Sequence, residues 1–350
     1  MRIINAMFSQ GLGGIEQAFL NYCIALKAGG HTVNAVILPK AAIKDHLTKL
    51  GGINIIEIDN WGNWDLVAKS ALKNIARQVK ADVIISHGSR AAELFRGVSK
   101  RAKNIGVLHN YSVQRFLYMD LIFAVSQDLR RKIIADGMAE NKVFYLPNMI
   151  ALNNKELNKN EYDSKDKNEI LTFGTLGRFV KKKGFDVFLQ ALALLKAKNY
   201  DFRVLIGGDG EEKDNLRLLC DQLNLEHEVS FLGWLKEEDR NNFYKKLDVF
   251  CLPSLHEPFG IVILEALKYS LSIVTTNTEG PKEILSEGQD ALFVPKNDPV
   301  ALAEALEKLI KDKNLRNNLA GNAIKTAAIY SIDVVGKTLN EYIKLPVGNI

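Results

Sequence analysis

Cysteine is scarce in this 350-residue chain: Cys23, Cys220 and Cys251 are three, odd in number and far apart, each inside an apolar stretch. That usage excludes a disulfide framework and a cysteine zinc site, and reads as reduced core thiols of a cytosolic protein. Long hydrophobic runs are missing as well. None approaches the ~20 residues that cross a bilayer, and residues 1–8 are too short an apolar run, without a small-residue cleavage site, for a signal peptide. No His-x-His, Asp-x-Asp or Glu-x-x-His cluster occurs, so no spacing asks for a metal. What the chain does have is an average composition, 47% apolar and 25% charged, which excludes fibres and wholesale disorder.

The length suggests two domains, at roughly 100–200 residues each. A rhythm of strand, turn and helix runs through both halves. In the first, short apolar strands are expected at 2–8, 32–38, 53–58, 83–86, 105–108, 121–125 and 143–146. A helix at 15–28 carries Ile15, Phe19, Tyr22, Cys23 and Leu26 at helical spacing. Residues 153–168 read NNKELNKNEYDSKDKN, polar and without period, as a linker does. The rhythm then restarts, with strands at 170–176, 203–207, 228–232, 249–252 and 272–275. Helices are expected at 185–198, 214–223, 237–247, 260–269 and 300–311, and residues 275–284 as a polar loop before a helix. Buried parallel strands with intervening helices define an α/β chain of two doubly wound sheets. Ligands of such sheets sit at the carboxyl ends of strands, so the cleft between the domains is where to look.

Charge divides unevenly between the halves. Residues 1–150 hold 19 Lys and Arg against 11 Asp and Glu, and residues 151–350 hold 27 against 30. The net +5 of the chain therefore belongs to its first part.

Gly11-Leu12-Gly13-Gly14-Ile15-Glu16 follows the first strand and opens a helix. It is not a dinucleotide fingerprint: Glu16 stands where the third glycine belongs, and the second strand ends in Leu38-Pro39-Lys40 without an acid for a ribose. The turn is either a backbone anion site at a helix N-terminus or a tight turn without a ligand. In the second half, Gly177-Arg178-Phe179-Val180-Lys181-Lys182-Lys183-Gly184 follows a strand. Arg178 and Lys183 can clamp a diphosphate as fork and point charge, or the lysines form a solvated basic loop. Gly207-Gly208-Asp209-Gly210 offers close backbone approach. Gly233-Trp234-Leu235 can face a planar base, or Trp234 is half-buried packing.

The richest segment runs Pro253-Ser254-Leu255-His256-Glu257-Pro258-Phe259-Gly260-Ile261-Val262-Ile263-Leu264-Glu265-Ala266. Glu257 precedes a helix and Glu265 lies inside it between apolar neighbours, where a carboxylate needs a partner. The two can face a polyhydroxylated ligand while the helix N-terminus faces a phosphate. A structural salt bridge for Glu265 is the competing reading.

Glu257 and Glu265, eight positions apart, resemble the E-x7-E pattern of retaining glycosyltransferases with the GT-B fold. The order Gly177-Arg178…Lys183-Gly184, Gly208-Asp209-Gly210, Gly233-Trp234 and Gly280-Pro281-Lys282-Glu283 is similar to their family 4, the group 1 type. The resemblance is strongest over 170–300. Gly13-Gly14-Ile15-Glu16, Ser86-His87, His109-Asn110 and Val125-Ser126 resemble the family more loosely. It implies two Rossmann-like domains facing each other across a cleft: an acceptor-side domain at 1–152, the linker at 153–168, a nucleotide-sugar domain at 169–329, and a final helix at 330–350 crossing back to the first.

By that resemblance the substrate is a nucleoside-diphosphate sugar, UDP favoured over GDP, giving up a hexose-type sugar without a metal or other cofactor. Arg178 and Lys183 hold the diphosphate, with backbone around Pro258, Phe259, Gly260 and Ile261. Glu265 takes the ribose hydroxyls and Glu257 the sugar. Gly208, Trp234 and Leu235 complete the nucleotide side, and Gly13 and Gly14 approach from across the cleft. His109 lines the sugar or acceptor side; Asn110 stands where the family often has Asp, so no base is assigned. The acceptor is expected to be a glycan or lipid-linked glycan of bacterial lipopolysaccharide or other cell-envelope polysaccharide synthesis.

The basic stretches Arg90…Arg96…Lys100-Arg101…Lys103 and Arg130-Arg131-Lys132 suit an anionic membrane surface, or form a solvated basic face. The expected location is cytoplasmic, peripheral on the inner face of the membrane. Nucleic acid is not expected, since the basic stretches lack interleaved aromatics. A nucleotide-sugar 2-epimerase of the same fold and a catalytically silent glycan- or nucleotide-binding protein are the alternatives.

Overall fold

The computed structural model describes residues 1–152 and 170–346; the linker expected at 153–168 lies outside the described residues. The chain divides into two compact units, one of residues Met1–Ala151 with the segment from Tyr330, the other Leu152–Ile329.

The first unit is built on strands β1 (Arg2–Met7), β2 (Thr32–Ile37), β3 (Asn54–Glu57), β4 (Val83–His87), β5 (Lys103–Leu108), β6 (Leu121–Ala124) and β7 (Val143–Tyr145). They pair in parallel in the order β3-β2-β1-β4-β5-β6-β7. Helices α1 (Gly14–Ala28), α2 (Lys44–Leu50), α3 (Leu66–Gln78), α4 (Gly88–Phe95) and α5 (Gln127–Ala135) connect them. The central strands are continuous apolar runs because helices cover both faces; every residue of β4 is buried. The winding reverses between β1 and β4, which leaves a crevice outside their carboxyl ends.

The second unit repeats the plan with β8 (Leu171–Leu176), β9 (Phe202–Gly207), β10 (Val229–Gly233), β11 (Val249–Leu252), β12 (Ser272–Thr276) and β13 (Ala291–Val294), ordered β10-β9-β8-β11-β12-β13. Its helices are α6 (Phe185–Ala197), α7 (Lys213–Gln222), α8 (Glu237–Lys246), α9 (Ile261–Lys268), α10 (Glu279–Ile284), α11 (Pro299–Lys311) and α12 (Lys313–Ile329). Here the reversal falls between β8 and β11. Phe173, Phe179, Phe185, Phe188 and Leu192 pack with Val204, Ile206 and Leu306 into one core, each large side chain contributing roughly 1.5–3 kcal/mol by leaving water.

The segment from Tyr330 belongs to the first unit. Ile150 and Ser331 form a parallel bridge, with Ile150 N–H donating to the Tyr330 carbonyl at 2.9 Å. Helix α13 (Ile332–Tyr342) then lies along α1, where Asn340 Nδ2 donates to the Ala25 carbonyl at 3.1 Å. Lys103 Nζ, turned inward, donates to the Ile343 carbonyl at 2.9 Å near the helix C-terminus, a favourable place for a cation.

One sequence expectation needs correction, and strand β13 and helix α12 were not expected from sequence at all. Residues 275–284 are not a loop before a helix: Glu279–Ile284 is itself a helix, with Thr278 at its N-cap and Pro281 in its first turn, where proline fits. Helix α12 escapes the periodicity because its buried side is largely alanine, Ala320, Ala323 and Ala327, beside Leu319 and Arg316. Cys23, Cys220 and Cys251 are free and buried, and burial pushes the Cys23 thiol up to about 12.

Candidate nucleotide-sugar site

In the second unit the loops leaving β8, β9, β11 and β12 are tied together at the sheet's carboxyl end. Gly177 N–H donates to the Gly207 carbonyl at 3.1 Å, and Phe179 N–H to the Asp209 carbonyl at 2.9 Å. Leu255 N–H reaches the Lys182 carbonyl at 2.8 Å, and Gly280 N–H the Glu257 carbonyl at 3.0 Å. Glycine makes this closeness feasible. A Cβ on Gly208, at φ +140°, would lie 1.9 Å from the Gly177 oxygen, and one on Gly184, at φ +65°, 2.1 Å from the Pro253 oxygen. Four loops thus form one frame.

Within this frame the three consecutive lysines part company. Lys181 is 70% exposed and Lys182 is also exposed, whereas Lys183 turns in, its side chain 19% exposed. Its Nζ lies 2.5 Å from Glu257 Oε2. The pair bridges the loop after β8 and the loop after β11, across the point where the winding reverses. Glu257 is 8% exposed, with Ser254 Oγ 3.4 Å from the same oxygen. Arg178 is exposed and makes no ion pair among the described residues. One cation is held in place and the other is left open to solvent.

Glu265 has the partner its apolar surroundings demanded. Buried on α9, it accepts from the Tyr244 hydroxyl at 2.8 Å and lies 3.3 Å from Arg240 Nη1. Arg240 and Tyr244 stand one turn apart on α8, so one helix face supplies both. Burial, then the neighbouring carboxylate, pushes the Tyr244 hydroxyl well above its ordinary range. The salt-bridge reading of Glu265 is therefore realised, while a carboxylate's roughly four acceptor positions exceed these two contacts.

The remaining predicted residues of this unit fall on the same end of the sheet. Gly260, at φ +95°, caps α9, followed by Ile261; Pro258 is half-buried and Phe259 buried beneath Gly280, whose Cβ would meet the Phe259 backbone at 2.5 Å. Trp234 is 44% exposed beyond β10, and Leu235 packs near Gly207. Ser254, Arg240 and Tyr244 were not singled out from sequence. The i, i+4 spacing of the last two, read against a carboxylate in need of a cation, was the available signal.

Gly13, Gly14 and His109 belong to the first unit. At the glycine turn the anion is the protein's own: Glu16 Oε2 accepts from Gly13 N–H at 2.8 Å, and its other oxygen from the Ser9 hydroxyl. This explains why an acid replaces the third glycine, since it closes a capping arrangement at the start of α1.

His109, after β5, stacks on His87 at the end of β4, with ring centroids 5.3 Å apart and His87 Nδ1 3.0 Å from His109 Nε2. His87 is 2% exposed, edge-on to Phe19 and Tyr22, and its Nε2 has no partner among the described residues. An orphaned buried N–H is rarer than an under-used acceptor. The proton of His87 is thereby assigned to Nδ1, donating to His109, which leaves the His109 proton on its own Nδ1. Burial lowers His109 to about 4 and holds His87 well below its usual value. A neutral His109 so arranged offers a donor, not a general base.

Among the described residues no group of three or more His, Cys, Asp or Glu is placed to hold a metal ion, and no helix is long and apolar enough to cross a membrane.

Comparison with known proteins bears on the family and the fold. Residues 154–326 match the family model of glycosyl transferases group 1. The chain is 28% identical over 317 residues, 90% of each chain, to the lipopolysaccharide core biosynthesis glycosyltransferase LpsE of Rhizobium meliloti (strain 1021). It is 31% identical over 212 residues, 58% of this chain and 56% of the other, to the capsular polysaccharide biosynthesis glycosyltransferase CapM of Staphylococcus aureus. In fold it resembles Anabaena Alr3699/HepE crystallised in complex with UDP-glucose, with a TM-score of 0.83 at 20% identity over 98% of this chain and 99% of that one. Two doubly wound parallel sheets, each reversing at its centre, are the sheets of the GT-B fold, and the signature of glycosyl transferases group 1 lies over 154–326.

Proposed function

We propose that the protein is a retaining, family 4 enzyme. It moves a hexose-type sugar from a nucleoside-diphosphate sugar, UDP in preference to GDP, onto a glycan or lipid-linked acceptor of bacterial lipopolysaccharide or other cell-envelope polysaccharide synthesis. The observation that carries this reading is the Lys183–Glu257 pair across the reversal of the second sheet. Such a reversal is where α/β sheets bind ligands, and a cation beside a carboxylate suits a donor with phosphate at one end and hydroxyls at the other. LpsE and CapM, the relatives above, support the acceptor class, and the complex of HepE with UDP-glucose supports the donor.

In this reading Arg178 and Lys183 stabilise the charge that grows on the diphosphate as the glycosidic bond breaks toward an oxocarbenium ion. They take the part a divalent cation plays elsewhere, so turnover requires no metal. Glu257 orients sugar hydroxyls, and N–H groups from Pro258 to Ile261 bind phosphate at the start of α9. Glu265 accepts from the ribose, with Gly208, Trp234 and Leu235 toward the base. In the first unit, His109 offers a hydrogen-bond donor of the kind a hydroxyl accepts. The acceptor enters on the face the diphosphate leaves, which retains configuration without the two protein carboxylates of a glycosidase.

Thermal-shift measurements with UDP-, GDP- and other nucleotide sugars test the donor, since a matched ligand stabilises by mass action. Incubation with the matched donor in EDTA follows. Acceptor-dependent release of nucleoside diphosphate with an unchanged anomeric configuration is expected. Release or isomerisation of the sugar without acceptor would identify an epimerase and overturn the reading.

A further inference from the structure

Among the described residues the most exposed apolar side chains lie together, away from the residues discussed above. Trp61 is 97% exposed, Trp64 77%, Leu66 78% and Val67 81%. They sit in the turn before α3 and in its first two positions, and that turn is well formed. Asp65 caps the helix by accepting from Ala68 N–H at 2.8 Å, and its other oxygen accepts from Trp61 N–H at 3.0 Å. One carboxylate thus ends the loop, starts the helix and fixes the backbone that displays the tryptophans. Two Trp in full contact with water are unfavourable by the area they leave uncovered, on the order of 150–250 Å² each.

Charge says what covers them. Helix α3 contains Lys69, Lys73 and Arg77 and no acidic residue; it buries Ala68, Leu72 and Ala76 against the unit. Lys73 and Arg77 follow Leu66 at i+7 and i+11, on the outward stripe, with exposed Lys80 just beyond the helix. The exposed acids preceding the tip are Glu57, paired with Lys44 at 2.6 Å, and Asp59. An apolar, tryptophan-bearing tip with a cationic stripe behind it is the composition of a segment lying in a membrane interface, rings at headgroup level and lysines on anionic lipid.

Of the basic residues noted from sequence, those of the second stretch and Lys103 fit that role less well, while Arg90, Lys100 and Arg101 are exposed. Arg130, Arg131 and Lys132 pair with Glu140, Asp128 and Asp136 respectively, and Lys103 is spent on main-chain carbonyls.

We propose that the Trp61–Val67 tip and the Lys73–Arg77 stripe of α3 are a docking surface for an anionic lipid bilayer. The surface acts independently of the transfer reaction, so binding is read without turnover.

The full chain is mixed with phosphatidylglycerol–phosphatidylcholine vesicles and with phosphatidylcholine alone, at low and high salt, and sedimented. Binding to the anionic vesicles that weakens with salt is expected. Trp61→Ser with Trp64→Ser lowers it at least about tenfold with an unchanged melting temperature; Lys73→Glu with Arg77→Glu lowers it by about the same factor and removes most of the salt dependence. Two of the chain's three tryptophans lie in the tip, so in a Trp234→Phe background the emission moves to shorter wavelength on vesicle binding. Absence of binding by the unaltered chain, or binding indifferent to the tryptophan substitutions, overturns the proposal. So does a dimer in sedimentation velocity that those substitutions dissociate, because a second copy would then be the occupant.

Discussion

The two units share a scaffold and differ in what stands on it. Both sheets are wholly parallel and both reverse beside their first strand. At the carboxyl end of the second, charged groups from separate loops meet, and glycines let backbones touch. At the same end of the first, Glu16 satisfies its own helix start, and the titratable groups facing each other are two neutral histidines. The fold supplies a crevice twice, and loop chemistry decides which one is suited to phosphate.

That contrast is broken or sharpened most strongly through the ion pair. We expect Lys183→Ala to lower kcat by about 10²- to 10³-fold, measured as nucleoside diphosphate release, and also to lower stability by leaving Glu257 buried without its cation. The double variant Lys183→Met, Glu257→Gln should restore the melting temperature and leave turnover lost. Recovery of both together would reduce the pair to a structural salt bridge.

Next in size is the backbone frame. Gly184→Ala places a methyl against the Pro253 carbonyl in a left-handed conformation and should cost about 3 kcal/mol or more by denaturant unfolding. Gly11→Ala, with nothing within 4 Å of its Cβ, should stay within about 0.5 kcal/mol. Equal losses would mean that the tight packing of loops does not distinguish the units.

A smaller effect separates the two readings of Glu265. Glu265→Gln keeps an acceptor for Tyr244 but removes the charge facing Arg240. If the carboxylate also holds ribose, the Kd for the nucleoside diphosphate rises by about tenfold, near 1.4 kcal/mol. A fall in stability with unchanged Kd would leave it purely structural.

The smallest effect belongs to the first unit. His109, lowered to about 4, and His87, also lowered, stay neutral in the folded chain while unfolded histidine takes up protons below its ordinary 6.5. Stability present above that value is lost as pH falls toward 4. The melting temperature should drop further over that range than in a His87→Phe, His109→Gln variant, followed by calorimetry.

The alternation of strands and helices was legible because buried parallel strands leave unbroken apolar runs, and strand edges fell within a residue or two of expectation. Helix α12 was not, since an alanine seam gives little contrast with its exposed side. In the site, residue type and order indicated Arg178, Lys183, Glu257 and Glu265 as chemistry-bearing. Lys183 stood out from Lys181 and Lys182 by its place five residues after Arg178, while the reason it turns inward lies in the fold of the loop. Sequence did not reveal Arg240 and Tyr244, which reach Glu265 from another helix, or the His87–His109 contact, which requires two neighbouring strands to end level.

The pairing of Lys183 with Glu257 bears on how a transferase would let go. A lysine already paired with a carboxylate is not a vacant trap for diphosphate: in the proposed reading an incoming donor would share the three N–H donors of Lys183 with Glu257, and Glu257 would stand ready to take more of them back. Once the sugar has left and Glu257 has no hydroxyls to hold, the internal anion competes with the spent nucleotide for the same cation. In that reading affinity for product would be limited from within, favouring repeated turnover over tight retention.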